Sequence, residues 1–334
     1  MNLLPKASGT RPRLACEIAP EGVTAARADS AEAPLESVAR VPLAPGAVMP
    51  GLKPGNLADR VAVIAAIRRA LESIDIRPGR VAIRPNSRGA DLTIIIPDAA
   101  VRVLLLDFDA LPAKLTEALP IVRFRLKKLL PFEADDAMIS YQVMSSTRSN
   151  VRVLAVAMPR DVLEEYETAV REAGFEPGAV LPSTLAALAG LSAGDASLVV
   201  NATHAGITTA ISRDGVLLLH RSVDLQPQSA GIDPALPAQL QELSPDELTN
   251  EIAQAVSVAV AYYEDNLSAP PSTILSAGAL PADSLGRLLS SNGYSEADAL
   301  QVRELVDASA FAADAVTGSI PRGSLAGVRG ALRG

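Results

Sequence analysis

Short apolar runs with the two-residue period of strands alternate along this chain with longer segments that have the period of a helix. The first unit opens with two β-rich runs, residues 14–19 and 22–26, which are separated by a small turn and predict a β-hairpin. A helix and two strands are then predicted at residues 58–79, 80–85 and 91–97. This alternation is typical of an α/β protein.

The middle of the chain predicts a second unit. A strand at residues 101–109 precedes a helix that begins near Ala113 and stops at Pro131. Three further elements are predicted, strands at 138–144 and 151–158 and a helix at 160–174. Gly174 is a typical C-cap for the last of these.

An internal repeat is the most informative feature of the sequence. Residues 14–26 align without gaps on residues 198–210, and the offset is constant, since 198 − 14 = 184 and 206 − 22 = 184. Each copy reads as a strand, a small polar turn and a second strand, and two such copies imply two domains of one design. Strand-turn-strand sequences also resemble one another by chance, so the repeat alone leaves both interpretations open.

The second half continues the same alternation. Asp214-Gly215 predicts the turn between the second hairpin and a third strand, and a Pro-rich loop follows at 226–243. Ser244, with proline next and glutamate three residues on, predicts the start of a helix that runs to about 267. A strand and a closing helix are predicted at 272–280 and 324–334.

Composition limits the function classes. A chain of 334 residues exceeds one hydrophobic core, so we expect at least two domains. The net charge of −8 argues against nucleic acid as a partner. The single cysteine, Cys16, is expected to be a buried core thiol, and we find neither a secretory signal nor an apolar run long enough to span a membrane. These features favour a cytoplasmic protein.

Recognisable catalytic motifs are missing from the sequence. The chain has no GxxxxGK[ST], GxGxxG, GxSxG or HExxH pattern, and its two histidines make a metal site or a catalytic triad a poor interpretation. His204 reads as a solvated turn residue. The acidic pairs Asp107/Asp109 and Asp135/Asp136 read as turn and edge residues, because no partner acid, base or ligand stands at a workable spacing.

The duplicated hairpins, each followed by alternating strands and helices, resemble the actin and sugar-kinase ATPase superfamily. Within it, the stretches "LPIVRFRLKKLLPFEADDAMISYQV" and "VAMPRDVLEEYETAVREAGFEP", followed by "DGVLLLHRSV", "ILSAGAL" and "GVRGALR", resemble the type IV pilus assembly protein PilM family. The resemblance covers nearly the whole chain. It implies an actin-like fold similar to that of the division protein FtsA, with two duplicated RNase H-like domains and an inserted small α+β subdomain.

This resemblance also implies domain boundaries. The first RNase H-like domain is expected at residues 10–88 and is completed by 160–192. The inserted subdomain is expected at 89–159, the second RNase H-like domain at 193–334, and a flexible tail at 1–9.

In the superfamily, the two hairpins hold the phosphates of ATP and a magnesium ion through Asp-x-Gly sequences, and the resemblance places that site in this chain. Its members are Glu17, Ala19, Gly22, Asn201, Thr203, Gly206 and Gly278. The chain departs from the pattern, because the first copy reads Glu17-Ile18-Ala19 and the second Asn201-Ala202-Thr203. We therefore expect a degenerate nucleotide site without ATPase activity. The cofactors that the resemblance suggests for this site are ATP and magnesium.

PilM proteins are cytoplasmic scaffolds that bind the cytoplasmic tail of the inner-membrane protein PilN between the first domain and the inserted subdomain. The resemblance therefore predicts an adaptor of a type IV pilus alignment complex, held at the inner membrane by its partner and not itself inserted in the bilayer. Candidates for the peptide groove are Phe108, Leu111, Leu126 and Phe132, with the subdomain core as the alternative role for each.

Two other functions stay open at this point. One is an FtsA-like nucleotide-dependent ATPase or filament protein whose basic C-terminus, with Arg322, Arg329 and Arg333, touches a membrane. That end has little apolar area and reads as a closing helix. The other is a type II secretion adaptor like the cytoplasmic domain of GspL.

The tail of PilN carries an Asn-Leu-Leu-Pro motif, and the same four residues stand at the start of this chain as Asn2, Leu3, Leu4 and Pro5. A tethered segment gains an effective concentration of order millimolar. We therefore hypothesise that these residues occupy the chain's own PilN groove, with a chance match at a frayed terminus as the alternative.

Overall fold

Two five-stranded sheets with the same strand order form the framework of the structure, a computed structural model that describes residues 13–74, 92–191, 194, 196–225, 245–292, 301–312 and 320–333. The first part of the chain contains β1 (Leu14–Ala19), β2 (Gly22–Arg27), β3 (Ser37–Pro42), α1 (Arg60–Glu72), β4 (Leu92–Ile96), β5 (Arg102–Phe108), α2 (Leu115–Leu126), β6 (Ala137–Ser146), β7 (Val151–Pro159), α3 (Arg160–Glu172), β8 (Pro177–Pro182) and α4 (Ser183–Ala189). The second part contains β9 (Ser197–Ala202), β10 (Gly206–Arg213), β11 (Val216–Asp224), α5 (Pro245–Leu267), β12 (Thr273–Gly278), α6 (Ala282–Ser291), β13 (Gln301–Glu304) and α7 (Ala326–Arg333).

The repeat seen in the sequence is a structural repeat. The strand orders are β3-β2-β1-β4-β8 and β11-β10-β9-β12-β13, so each sheet has an antiparallel three-stranded half followed by two parallel strands. In the first hairpin Glu17 pairs with Thr24, and in the second Asn201 pairs with Thr208. Both residues of the second pair are 184 positions after those of the first, so the aligned hairpins share one register.

Helices cover both faces of the first sheet. The side chains of Leu14, Cys16 and Ile18 alternate to one face of β1 and pack in a core with α1 and α3. On the opposite face, Ala15 packs with side chains of α4 and α7. Because α4 and α7 also contribute to the core beneath the second sheet, these two helices form a layer between the sheets.

A third, three-stranded antiparallel sheet with the order β5-β7-β6 is inserted between β4 and α3. The buried face of α2, with Ala118, Val122 and Leu126, packs on this sheet because apolar residues four apart fall on one side of a helix. Together with α2 it forms the small α+β unit that the sequence predicted, which is called the inserted unit below.

Two segments belong to a different unit from the one that the sequence-based domain boundaries assigned to them. Residues 92–96 were assigned to the inserted subdomain, but β4 pairs in parallel with β1 of the first sheet. The last helix was assigned to the second domain, but α7 packs on the first sheet, where Val328 and Leu332 join its core. Both differences arise from long-range pairing, which an apolar run does not specify.

Several local predictions are confirmed. Asp214 and Gly215 have positive φ values of 53° and 74° at the turn between β10 and β11, and Gly174 has a φ of 97° directly after α3. Cys16 is completely buried. The predicted strand at 80–85, the loop at 226–243, the cap at Ser244 and the tail at 1–9 lie outside the described residues.

The C-terminal helix closes the fold and is buried. Arg329 is 7% exposed, and its guanidinium donates a hydrogen bond to the backbone carbonyl of Ala33. The Arg333 side chain donates to the carbonyl of Gly190. Both cations are thus engaged with the protein itself, which confirms the interpretation of this segment as a closing helix.

Candidate functional site

A cleft lies where the two hairpins meet, at the carboxyl ends of β1 and β9. Its lining combines residues from both sheets and from the start of α4, among them Glu17, Ala19, Asp98, Ser183, Asn201, Thr203 and Gly206. Five of the seven residues of the expected nucleotide site therefore line this cleft. The other two, Gly22 and Gly278, lie on adjoining strands, where Gly22 pairs with Ala19 and Gly278 pairs with Ala202. In particular, the structure places the aligned residues Glu17 and Asn201 on opposite sides of one cleft.

Hydrogen bonds connect the two sides of this cleft. The Asn201 amide nitrogen donates to Ser183 Oγ at 3.2 Å and to Thr184 Oγ1 at 2.9 Å. Ser183 Oγ in turn donates to Glu17 Oε1 at 2.7 Å, and Thr184 Oγ1 donates to Asp98 Oδ2. Each hydrogen bond is thus donated toward the first sheet: the Asn201 amide of the second sheet donates to two hydroxyl groups, and these donate to the carboxyl groups of Glu17 and Asp98.

We call these five residues, Glu17, Asp98, Ser183, Thr184 and Asn201, the cross-cleft network. A second bond from the Thr184 backbone N–H to Asp98 Oδ1, at 3.1 Å, anchors the start of α4 in it. Asp98, Ser183, Thr184 and Asn201 are buried and bond to one another, although Asn201 Oδ1 has no hydrogen-bond partner among the described residues. The network therefore connects residues of the two sheets through the start of α4.

Glu17 carries the most perturbed carboxyl group of the cleft. Burial raises its pKa to about 7; the Ser183 hydrogen bond opposes this shift, and the neighbouring carboxylates of Glu21 and Asp98 add to it. Its Oε2 has no hydrogen-bond partner among the described residues, and it lies against the backbone of Gly327 in α7. Near neutral pH this side chain is therefore partly protonated.

A second contact joins the turns of the two hairpins. The backbone N–H of His204, in the turn between β9 and β10, donates to Glu21 Oε1 in the turn between β1 and β2, at 2.5 Å. The other two donors of that turn are also used, because Thr203 N–H bonds to Gly206 O and Ala205 N–H to Thr203 Oγ1. The three amides of this turn thus all have acceptors within the chain, and the acceptor at the His204 amide is a carboxylate.

The retained glycines have a packing reason of their own. A Cβ on Gly22 would lie 2.5 Å from the Val41 carbonyl oxygen, and one on Gly206 would lie 2.8 Å from the Val223 carbonyl oxygen. Both glycines therefore allow the hairpin to lie close to the next strand of its sheet. Gly278 has a φ of 81°, and a Cβ there would collide with the carbonyl oxygen of Ala202 and with Asn201 Oδ1.

The residues of the cleft do not fit ATP and magnesium. The described lining contains the three acids Glu17, Asp98 and Asp224 and no lysine or arginine, which is unfavourable for a triphosphate. The cavity has a volume of about 20 Å³, whereas a single water already needs roughly 10–15 Å³ on the same measure. Within the described part of the chain, no group of three or more His, Cys, Asp or Glu residues is placed to hold a metal ion.

The candidates for a peptide groove lie in the inserted unit. Leu126 is completely buried in its core, and Phe108, Leu111 and Phe132 are half-buried against that core. Phe108 is at the end of β5 that pairs with Val151, away from the junction with β4. The structure thus gives Leu126 a packing role and leaves the other three partly accessible.

Other residues predicted from the sequence lie where turn and surface residues are expected. The His204 side chain is 79% exposed. Asp107 accepts a hydrogen bond from Arg152 at 3.1 Å, and Asp135 pairs with Lys127 at 2.6 Å. These acids therefore serve as partners of surface cations.

Sequence reasoning missed four members of the site, Glu21, Asp98, Ser183 and Thr184. Asp98 directly follows the apolar run of β4, and Ser183 and Thr184 follow Pro182 at the start of a helix that was not predicted. Polar residues at the carboxyl ends of parallel strands are a usable signal for a cleft. It was obscured here because β4 was assigned to the inserted subdomain.

Two RNase H-like sheets that meet around such a cleft define the actin-like fold, as the resemblance implied. Among solved structures, a chain of the "PilM-PilN type IV pilus biogenesis complex" has this fold with a TM-score of 0.68 and 16% identity, over 96% of this chain and 98% of that one.

Two more distant structures are similar. The cytoplasmic domain of EpsL, an inner membrane component of the type II secretion system of Vibrio cholerae, has a TM-score of 0.45 and 12% identity, over 80% of this chain and 82% of that one. The ethanolamine utilization protein EutJ from Carboxydothermus hydrogenoformans has a TM-score of 0.45 and 11% identity, over 99% of this chain and 94% of that one.

No protein-family model and no curated protein matches the chain. Among the described helices, none is both long and apolar enough to cross a membrane.

Proposed function

We propose that this protein is a cytoplasmic adaptor of a type IV pilus inner-membrane alignment complex, which binds the cytoplasmic tail of a PilN-like membrane protein. The observation that carries the proposal is the likeness of nearly the whole chain, inserted unit included, to a chain of a PilM-PilN complex. Of the sequence stretches that resemble the PilM family, the one at residues 119–143 lies in this inserted unit, and the others follow it along the chain. A membrane-bound partner would hold the protein at the periphery of the inner membrane.

The adaptor function does not require nucleotide turnover. The cleft is bridged by the cross-cleft network, and the turn amides of the second hairpin already have partners within the chain. Its lining is acidic and its cavity is small. We therefore infer that the nucleotide site is degenerate.

For the partner peptide, we propose a groove beside the inserted unit to which Phe108, Leu111 and Phe132 contribute. These three side chains are half-buried, so each combines a fixed position with an accessible apolar surface. An extended apolar peptide gains most from such anchors, because burying a leucine contributes about 1.5–3 kcal/mol. Leu126 supports the groove from the core.

Titration of the full chain with a fluorescent PilN-type tail peptide and, separately, with Mg-ATP tests the proposal. We expect saturable binding of the peptide, loss of binding when its Asn-Leu-Leu-Pro motif is scrambled, and no ATP turnover. Phe132→Ser should weaken peptide binding, whereas the control Val258→Ser, at an exposed apolar residue of α5, should not. Tight ATP binding with turnover and no peptide binding would overturn the adaptor function.

A further inference from the structure

Exposed apolar side chains are concentrated on the inserted unit. Nine large hydrophobic side chains are exposed among the described residues, and six of them lie between positions 115 and 143. These six are Leu115, Ile121, Phe124, Leu129, Met138 and Val143. Single exposed hydrophobic residues are ordinary, but a concentration of them marks an interaction surface.

The helix α2 displays the most exposed aromatic residue of this group. Its inner face packs on the three-stranded sheet, while Phe124, 70% exposed, and Ile121, 40% exposed, project from the outer face. Residues three apart are neighbours on a helix surface, so these two side chains form one apolar ridge. Leu129 extends the ridge past the end of the helix, where it remains exposed.

The same segment is strongly basic although the protein is acidic. Residues 114–129 contain five basic residues and one acidic residue in a chain with a net charge of −8. Three of the cations are engaged, since Lys114 pairs with Glu117, Lys127 pairs with Asp135, and Arg123 donates to backbone carbonyls.

The other two cations flank the apolar ridge. Arg125 lies on α2 four residues after Ile121, and Lys128 lies in the turn directly after the helix; both residues are exposed. Neither forms an ion pair with any residue that the structure describes. Exposed apolar side chains with cations beside them can contact the headgroup boundary and the lipid phosphates of an anionic bilayer at the same time.

We propose that the exposed surface of α2 and of the turn after it, defined by Ile121, Phe124, Arg125, Lys128 and Leu129, docks on an anionic bilayer surface. The apolar side chains would enter the boundary between headgroups and acyl chains, and the two cations would contact lipid phosphates. The contact is confined to the headgroup layer, so no helix has to cross the bilayer.

Two other occupants fit the charge of this face poorly. A second copy of the chain, docked through the same face, would bring like cations together across a two-fold axis. The chain's own N-terminal segment is also basic, with Lys6, Arg11 and Arg13 and no acidic residue in positions 1–13. An anionic lipid surface complements the face, and the proposed function places the protein beside one.

Co-sedimentation of the full chain with vesicles tests the inference. We expect binding to vesicles that contain phosphatidylglycerol, no binding to pure phosphatidylcholine, and release as the salt concentration rises. Each cation near an anionic surface contributes about a five-fold factor in affinity, so R125Q/K128Q should lower the partition coefficient about twenty-five-fold. Phe124→Ser should weaken binding as well. Because Phe124 is exposed, this variant should fold normally.

Matched controls change equivalent residues elsewhere. Val61→Ser alters an apolar side chain of α1 that is 79% exposed, and Lys53→Gln removes an exposed cation of the first unit. Neither should affect vesicle binding. The inference is overturned if phosphatidylglycerol vesicles do not bind the protein, or if the controls lower binding as much as the α2 variants. It is also overturned if sedimentation velocity shows a dimer that Phe124→Ser dissociates. The assay contains no PilN-type peptide, so its failure is separate from failure of the proposed function.

Discussion

Replacing Glu17 with glutamine should stabilise the folded protein at alkaline pH and leave its stability almost unchanged at acid pH. Burial raises the pKa of this carboxyl group from 4.5 to about 7 in the folded state. Glutamine mimics the protonated carboxyl group and keeps an oxygen that accepts the hydrogen bond from Ser183 Oγ. The variant therefore removes the charge and keeps the cross-cleft network.

The direction of the effect follows from proton linkage. Since the folded-state pKa lies above that of the unfolded chain, the folded protein binds more protons between these two values, and its stability falls as the pH rises through this window. The window runs from about 4.5 to about 7. At about 1.4 kcal/mol per pKa unit, the ionised carboxylate costs about 3 kcal/mol above this range.

Urea denaturation at a series of pH values between about 3.5 and 8.5, which begins below the titration window, measures the free energy of unfolding of both proteins. The difference between Glu17→Gln and the natural chain should be near zero at the acid end and should grow to about 3 kcal/mol in favour of the variant above pH 7. Glu117→Gln, at a side chain that is 56% exposed, is the control and should give a small difference without this pH dependence. A Glu17→Gln difference that is independent of pH, or a variant that is less stable at pH 8, would refute the reasoning.

Two further predictions concern the packing of α7 and the N-terminal segment. Gly330→Ala places a Cβ against the carbonyl of Ala186 in α4 and should lower the free energy of unfolding by about 1–3 kcal/mol in thermal or urea denaturation. Gly51→Ala, where a Cβ meets nothing within 4 Å, is its control, and equal stability of the two would contradict the close approach of α4 and α7. Deletion of residues 1–8 should tighten binding of a PilN-type peptide if Asn2 to Pro5 compete for the groove. An unchanged dissociation constant would dispose of that hypothesis, and replacing residues 6–8 alone serves as the control.

The candidate site was predictable only in part. The constant offset of 184 residues placed Glu17 and Asn201 at equivalent positions, and the shared register of the two hairpins confirms this equivalence. Its remaining members were not predictable, because Ser183 and Thr184 reach the cleft through a short helix that was not predicted. The local sequence does not predict that Asp98 accepts hydrogen bonds from Thr184, which is 86 positions away.

In the inserted unit, too, the sequence predicted a helix but not what its apolar face contacts. The sequence left two roles open for Leu126, the peptide groove or the core of the subdomain, because helical spacing does not show whether an apolar face meets the unit's own sheet or a partner. In the structure, this face of α2 packs on the three-stranded sheet of the inserted unit. The outer face, with Phe124 70% exposed, remains accessible.

The sequence by itself determined the class of fold. Hydrophobic period, turn residues and the repeated hairpin are local or translational signals, and they suffice for two α/β domains of one design. Only the tertiary structure decided what the cleft between them is. Whether two hairpins hold a phosphate depends on where Glu21, Ser183 and Asn201 lie in space, and that depends on strand pairing and on the packing of α4 and α7. In this chain these contacts give the turn amides and the carboxyl groups partners within the protein.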